Sequence, residues 1–390
     1  MPNAGGGKGG WRYLAALLAL HAAAADAADA PLTLGASYIT DLIGDVDGGI
    51  RRGFVWLGRG DATAALDGDA LGLPGTEAFV DVMAVQSPDF SGRHVGDAQV
   101  VSNVQADSAV RPMEAWISHG FGPFAAKAGL IDLNTEFDVQ HYGAMFLNSS
   151  FGVGPDFSQS GVNGPSIFPA ASSAAVLRYQ GKSWAVRLGL FDGTAGSVRN
   201  PRAAALRLPG TTGLLLAAEV ERKLPADAEL QIGGWHYTRR APALDGGAPA
   251  VSQGVYGQVE KQLLKRAGPT LDGWVRIGVA AARANPIGTY VGGGLTWGTD
   301  ASRIGLAIAH ARLGAPALRA DPSQWRAETA IELSYLRQVA PPVAIQPDVQ
   351  YVIHPGWARS LDHALVAGLR LRFGFSSGLA LSRPMRIDTQ

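Results

Sequence analysis

Arginine and carboxylate side chains recur at every second position of apolar runs in this 390-residue chain, and that spacing limits what chemistry they can do. Near the C-terminus Arg370 and Arg372 alternate with Leu369, Leu371 and Phe373. Glu219 and Glu221 alternate with Ala218 and Val220, Glu332 with Ile331 and Leu333, and Asp348 with Val349; Arg178 and Arg187 belong to similar runs. Guanidinium forks donate to adjacent hydroxyls and carboxylates accept from them, so a wall bearing both suits neutral, hydroxyl-rich solutes. A passage of mixed sign favours such solutes over ions of either charge.

Other chemistries find little support. With no cysteine there are no thiolate zinc sites, thiol nucleophiles or disulfides. His119, His141, His236, His310, His354 and His363 show no metal-binding helical spacing, and Asp41, Asp45, Asp47 and Gly48 lack the spacing and distal Glu of a calcium loop. No nucleophile elbow or phosphate loop is present. No metal and no cofactor is therefore expected. The 33 basic and 33 acidic residues cancel, and nucleic acid, which needs a basic face, is not an expected partner.

The elements that must position these charges follow from hydropathy. Residues 1–27 read as a cleaved export signal: Lys8 and Arg12, an apolar stretch over residues 14–25, then Ala25-Asp26-Ala27. Beyond it no run approaches the roughly 18 apolar residues of a membrane helix. The rest alternates with strand period: Leu214, Leu216, Ala218 and Val220 share one face, Glu219, Glu221 and Lys223 the other. Short turns at 120–123, 181–183, 225–228, 265–269, 298–302 and 340–343 take turns with longer connections at 132–173, 192–213, 239–253, 283–288, 314–324 and 354–363. Two earlier external loops are expected at 41–49 and 87–111, and residues 51–67 read either as one long strand or as a hairpin.

This is the pattern of an all-β transmembrane antiparallel barrel of about 16 strands over residues 31–375, with short periplasmic turns, long extracellular loops and a polar tail at 376–390. Only a closed barrel lets strands satisfy every backbone amide without water. Sixteen strands enclose an aqueous channel rather than a packed interior. Trp184, Tyr237, Tyr256, Trp297, Tyr351 and Phe373 fall at expected strand ends, where aromatic rings form interfacial girdles. The 132–173 connection exceeds forty residues, which marks it as functional. We expect it to fold into the barrel and narrow it, with Asp132, Asn134, Glu136 and Asn148 at the constriction. Phe146, Phe151 and Phe157 either pack that loop or stack on solute, packing being favoured. The pore-lining candidates on the wall are Arg178, Arg187, Glu219, Glu221, Glu332, Asp348, Arg370 and Arg372.

The segment GLIDLNTEFDV at 129–139, followed by MFLNSSFG at 145–152 and GPSIFP at 164–169, resembles the OprB-type carbohydrate-selective porin family. The stretches at 95–106, 332–356 and 362–375 are similar to the same family. The resemblance implies passive diffusion of mono- and small oligosaccharides across the outer membrane of a Gram-negative bacterium, with sugars as solutes, lipid and lipopolysaccharide around the barrel, a possible homotrimer, and no enzymatic activity. A general diffusion porin remains the alternative, and a barrel enzyme or adhesin a more distant one. The chain departs from the common barrel pattern in continuing fifteen residues past Phe375 instead of ending on an aromatic.

Overall fold

The computed structural model describes residues 32–196, 213–265 and 268–376. Among them, sixteen strands run in sequence: β1 (Leu32–Gly49), β2 (Gly53–Asp67), β3 (Thr76–Gln86), β4 (Ala109–Phe121), β5 (Phe124–Ile131), β6 (Ser172–Gln180), β7 (Trp184–Asp192), β8 (Leu214–Leu224), β9 (Ala228–Ala241), β10 (Ala250–Lys265), β11 (Thr270–Ala280), β12 (Ile287–Thr299), β13 (Ser302–Leu313), β14 (Ala327–Ala340), β15 (Val343–Ile353) and β16 (Asp362–Ser376). Each pairs antiparallel with its neighbours, and β1 pairs with β16, so the sheet closes without an edge. Asp41 lies directly opposite Arg370 across that seam, and their side chains bond at 2.7 and 2.8 Å.

Alternation along each strand sorts side chains between two environments. On β13, Ile304, Leu306 and Ile308 face outward and are 41–55% exposed, while Gly305, Ala307, Ala309 and Ala311 face inward and are buried. An apolar surface that is exposed in the isolated chain and a buried interior holding Arg276, Arg370 and Glu332 invert the arrangement of a water-soluble protein. Such an inversion is the arrangement expected of a barrel surrounded by hydrocarbon.

Short turns alternate with long connections as the hydropathy implies, but the front of the barrel differs from expectation. Residues 41–49 are not a loop: they continue β1, and only 50–52 connect it to β2. Their acidic residues misled the reading because Asp41 and Asp45 point inward and are buried. Residues 53–67 form a single strand rather than a hairpin. Tyr237 and Tyr256 do not belong to a girdle; both face inward, 3% exposed, under the long loop. Trp184, Trp297 and Tyr351 face outward. The expected export signal at 1–27 and nearly all of the tail at 376–390 lie outside the described residues.

Candidate functional site

The connection between β5 and β6 turns into the barrel. Its apolar side chains need cover that solvent cannot supply, and the inner wall offers aromatic faces. Phe157 stacks on Trp235 with ring centres 4.3 Å apart, Phe146 and Phe151 meet Trp274 at 5.3 and 6.2 Å, and Phe137 meets Phe191 edge-on at 6.0 Å. The three phenylalanines singled out from sequence are thus packing residues, each at most 1% exposed.

A loop in this position has no ladder to satisfy its backbone, and buried amides without acceptors are costly. Wall carboxylates accept from them instead. Glu219 on β8 accepts from the amide of Asp138 at 2.8 Å. Glu260 on β10 accepts from the amides of His141 and Tyr142 at 3.1 and 3.0 Å. Glu332 on β14 accepts from Leu147 and Asn148 at 2.6 and 2.9 Å. The 87–108 connection is held in the same way, its Ala98 and Gln99 amides donating to Glu328 at 2.8 and 2.9 Å. The two loops join where the Asn103 amide donates to the Leu147 carbonyl and the Ser149 amide to that of Val100.

Ion pairs fix the loop laterally. Arg276 on β11 is fully buried and bonds Asp138 at 2.7 Å with two of its nitrogens and Asp156 at 2.7 Å with a third. Gly154 and Gly278 leave the space for this triad, since a β-carbon on either would collide with the Arg276 guanidinium or the Asp156 carboxylate. Glu136 is held between Lys127 of β5, at 2.6 Å, and Arg178 of β6. Burial opposes its charge, but the two cations outweigh burial and keep its carboxyl below the ordinary value. Asp132, at the mouth of the loop, caps a helical turn by accepting from the Asn134 amide at 2.8 Å. Burial pushes its pKa up to about 6, and the Asn134 amide and Arg59 offset only part of that.

The residues singled out from sequence fall into two groups. Glu136, Asn148, Glu219, Glu332, Asp348 and Arg370 are at most 3% exposed; all but Asp348 hold loops or the seam, and Asp348 accepts from Gln350 of its own strand at 3.0 Å. Asn148 donates to Gln350 at 3.1 Å, and Arg370 bonds Asp41. Asp132, Asn134, Arg178, Arg187, Glu221 and Arg372 retain partial exposure on the inward side. Arg187 bridges Glu219 and Glu221 at 2.9 and 2.7 Å, and Arg372 donates to Gln346 at 2.8 Å. Among the described residues, inward cations gather on β5–β7 (Lys127, Arg178, Arg187) and carboxylates on β8–β11 (Glu219, Glu221, Glu229, Glu260, Asp272), where Lys223 and Arg276 are cations among them.

Sequence reasoning passed over Arg276, Glu260 and Asp138. The first two were accessible, because Asp272, Trp274 and Arg276 share a strand face, as do Gln258 and Glu260. Asp138 was not, since a loop has no period to say where it points.

The matched family is described as "Carbohydrate-selective porin, OprB family" and covers residues 51–375 of the chain. No curated protein matches significantly. Among solved structures the chain is similar to Pseudomonas putida OprB at high pH, with 18% identity, a TM-score of 0.77 and coverage of 88% of this chain and 94% of that one. The same protein at low pH gives 16% identity and a TM-score of 0.56, covering 94% and 97%. The outer membrane channel DcaP of Acinetobacter baumannii gives 8% identity and a TM-score of 0.54, covering 88% and 96%. At these identities the structural likeness speaks for the fold. The family match spans most of the chain, and the closed sixteen-strand barrel with its inward loops agrees with it: the chain belongs to the OprB family of carbohydrate-selective porins of the bacterial outer membrane.

Proposed function

We propose that mono- and small oligosaccharides cross this porin by passive diffusion, steered at the loop-narrowed level by Asp132, Asn134, Arg178, Arg187, Glu221 and Arg372. The observation that carries the reading is the placing of donors beside acceptors among partly exposed inward residues, with Arg187 next to Glu221 and Arg178 next to the loop that bears Asp132 and Asn134. A sugar presents adjacent hydroxyls that both donate and accept, and meets such a surface without carrying charge. The buried group, Glu136, Asn148, Glu219, Glu332, Asp348 and Arg370, supports that surface from behind. The sixteen strands close within one chain, so in a homotrimer each protomer would carry its own channel. The outward apolar face is the surface on which acyl chains of lipid and lipopolysaccharide would lie.

Single-channel recording in planar bilayers, with liposome swelling across a panel of sugars, tests this. The expected result is a conducting channel partly blocked by millimolar sugar, with swelling rates that separate stereoisomers of equal size. Arg187→Gln should reduce sugar block. Swelling rates ordered by solute size alone, or a folded protein without conductance, would overturn the reading.

A further inference from the structure

Glu229 on β9 and Glu260 on β10 face inward and stand directly opposite each other in the antiparallel register. Like charges at directly opposed positions destabilise a sheet; Lys223 of β8 stands opposite Glu229 on its other side, which leaves Glu260 to be balanced from elsewhere. The inward-folded loop brings one group of the needed kind. The amide of His141 donates to Glu260 at 3.1 Å, which fixes the backbone over that strand, and the imidazole Nε2 lies 3.8 Å from a Glu229 oxygen, too far for a hydrogen bond. One ring nitrogen of His141 and one carboxylate oxygen from each Glu all lie within 4.8 Å of one another. Glu229 is oriented by Gln231, whose side-chain amide donates to it at 2.9 Å. The His141 side chain is 42% exposed and that of Glu229 20%, so the cluster is reached from the lumen.

We infer that His141, Glu229 and Glu260 form a binding site for a divalent transition-metal ion inside the channel. One imidazole and two carboxylates are the ligand types of zinc, with at least one position left for water. Ligands held at about 2.1 Å on one tetrahedral ion stand roughly 3.4 Å apart, so the cluster closes on an ion by side-chain rotation of about 1 Å. An imidazole in the set selects zinc, nickel or copper over calcium and magnesium, which prefer all-oxygen sites. Gln231 and the two loop amides serve as outer partners that set the carboxylate orientations. The ion would neutralise the opposed carboxylates and tie the loop to the wall at the level where the channel narrows. No sequence spacing announces the site, because loop insertion brings His141 to carboxylates 88 and 119 positions away.

The test uses the full chain without a polyhistidine tag. Zinc chloride is titrated calorimetrically onto the folded protein in detergent, and cobalt(II) is added separately to read its visible absorption. The expected result is one zinc ion per chain, a tetrahedral cobalt spectrum displaced by zinc, and no binding of calcium at equal concentration. Glu229→Gln and His141→Gln should each weaken zinc at least ten-fold while the heat-modifiable mobility of the barrel is retained. Zinc should also lower single-channel conductance in the parent protein and not in the variants. That last arm rests on the channel reading; binding without an effect on conductance would leave the site standing. Absence of zinc binding to the parent, or equal binding by folded Glu229→Gln and His141→Gln proteins, would overturn the inference.

Discussion

Glu136 shows how a charge performs two tasks at once. It is 1% exposed, yet it balances Lys127 and Arg178 where the inward loop meets the wall. Replacing it by Gln keeps the shape but leaves the two cations uncompensated and puts a donor amide where one carboxylate oxygen accepted from Arg178. A unit charge about 6 Å from a permeating ion in water-like surroundings is worth roughly 0.7 kcal/mol, of opposite sign for anion and cation, so their permeability ratio changes about ten-fold. Reversal potentials in a potassium chloride gradient should therefore show Glu136→Gln to be about ten-fold more anion-selective than the parent. An unchanged reversal potential would place Glu136 away from the ion path. The sequence singled this residue out as a constriction candidate, but its two partners were beyond reach. Lys127 and Arg178 stand on different strands, and only the turn of the loop brings Glu136 between them.

At the scale of the element, the inward loop is a surface segment held in an interior. Its stability depends on wall carboxylates that accept from backbone amides, and on aromatic stacking. Glu332→Ala removes both acceptors from Leu147 and Asn148. Each buried donor left unpaired costs about 1–3 kcal/mol, so the loop should detach locally while the barrel ladders remain. We expect larger, noisier single-channel currents and weaker sugar block, with the unfolding temperature of the barrel little changed. Loss of the folded barrel instead would mean that Glu332 supports the wall. The loop was recognisable from its length, and the aromatic residues in it from their type. That its anchors are backbone amides was not legible, because amides are common to every residue.

For the whole molecule, the outward face defines the solvent. Leu306 lies near the middle of β13 and is 55% exposed toward the membrane. An arginine at the bilayer midplane of such a barrel costs about 2–4 kcal/mol. Equilibrium unfolding of Leu306→Arg in lipid vesicles should show a loss of that size. A cost near zero would mean that this face does not meet the hydrocarbon. Closure through β1 and β16 also explains the length of β1, whose acidic residues read as a loop. In a sheet whose inner side is wet and charged, carboxylates such as Asp41 are ordinary strand residues once an arginine stands opposite.

The sequence by itself determined most of the strands, their approximate number and the side on which most strand residues lie, because a period of two is a local property that survives without any partner. It also determined that the long connection after β5 was special. Which inward charges touch water and which are buried as anchors was decided only by the tertiary structure. Insertion of the loops divides one continuous polar face into a supported part and a wetted part. That division depends on contacts between residues as far apart as Ala98 and Glu328 or Asp138 and Arg276, which no local pattern records.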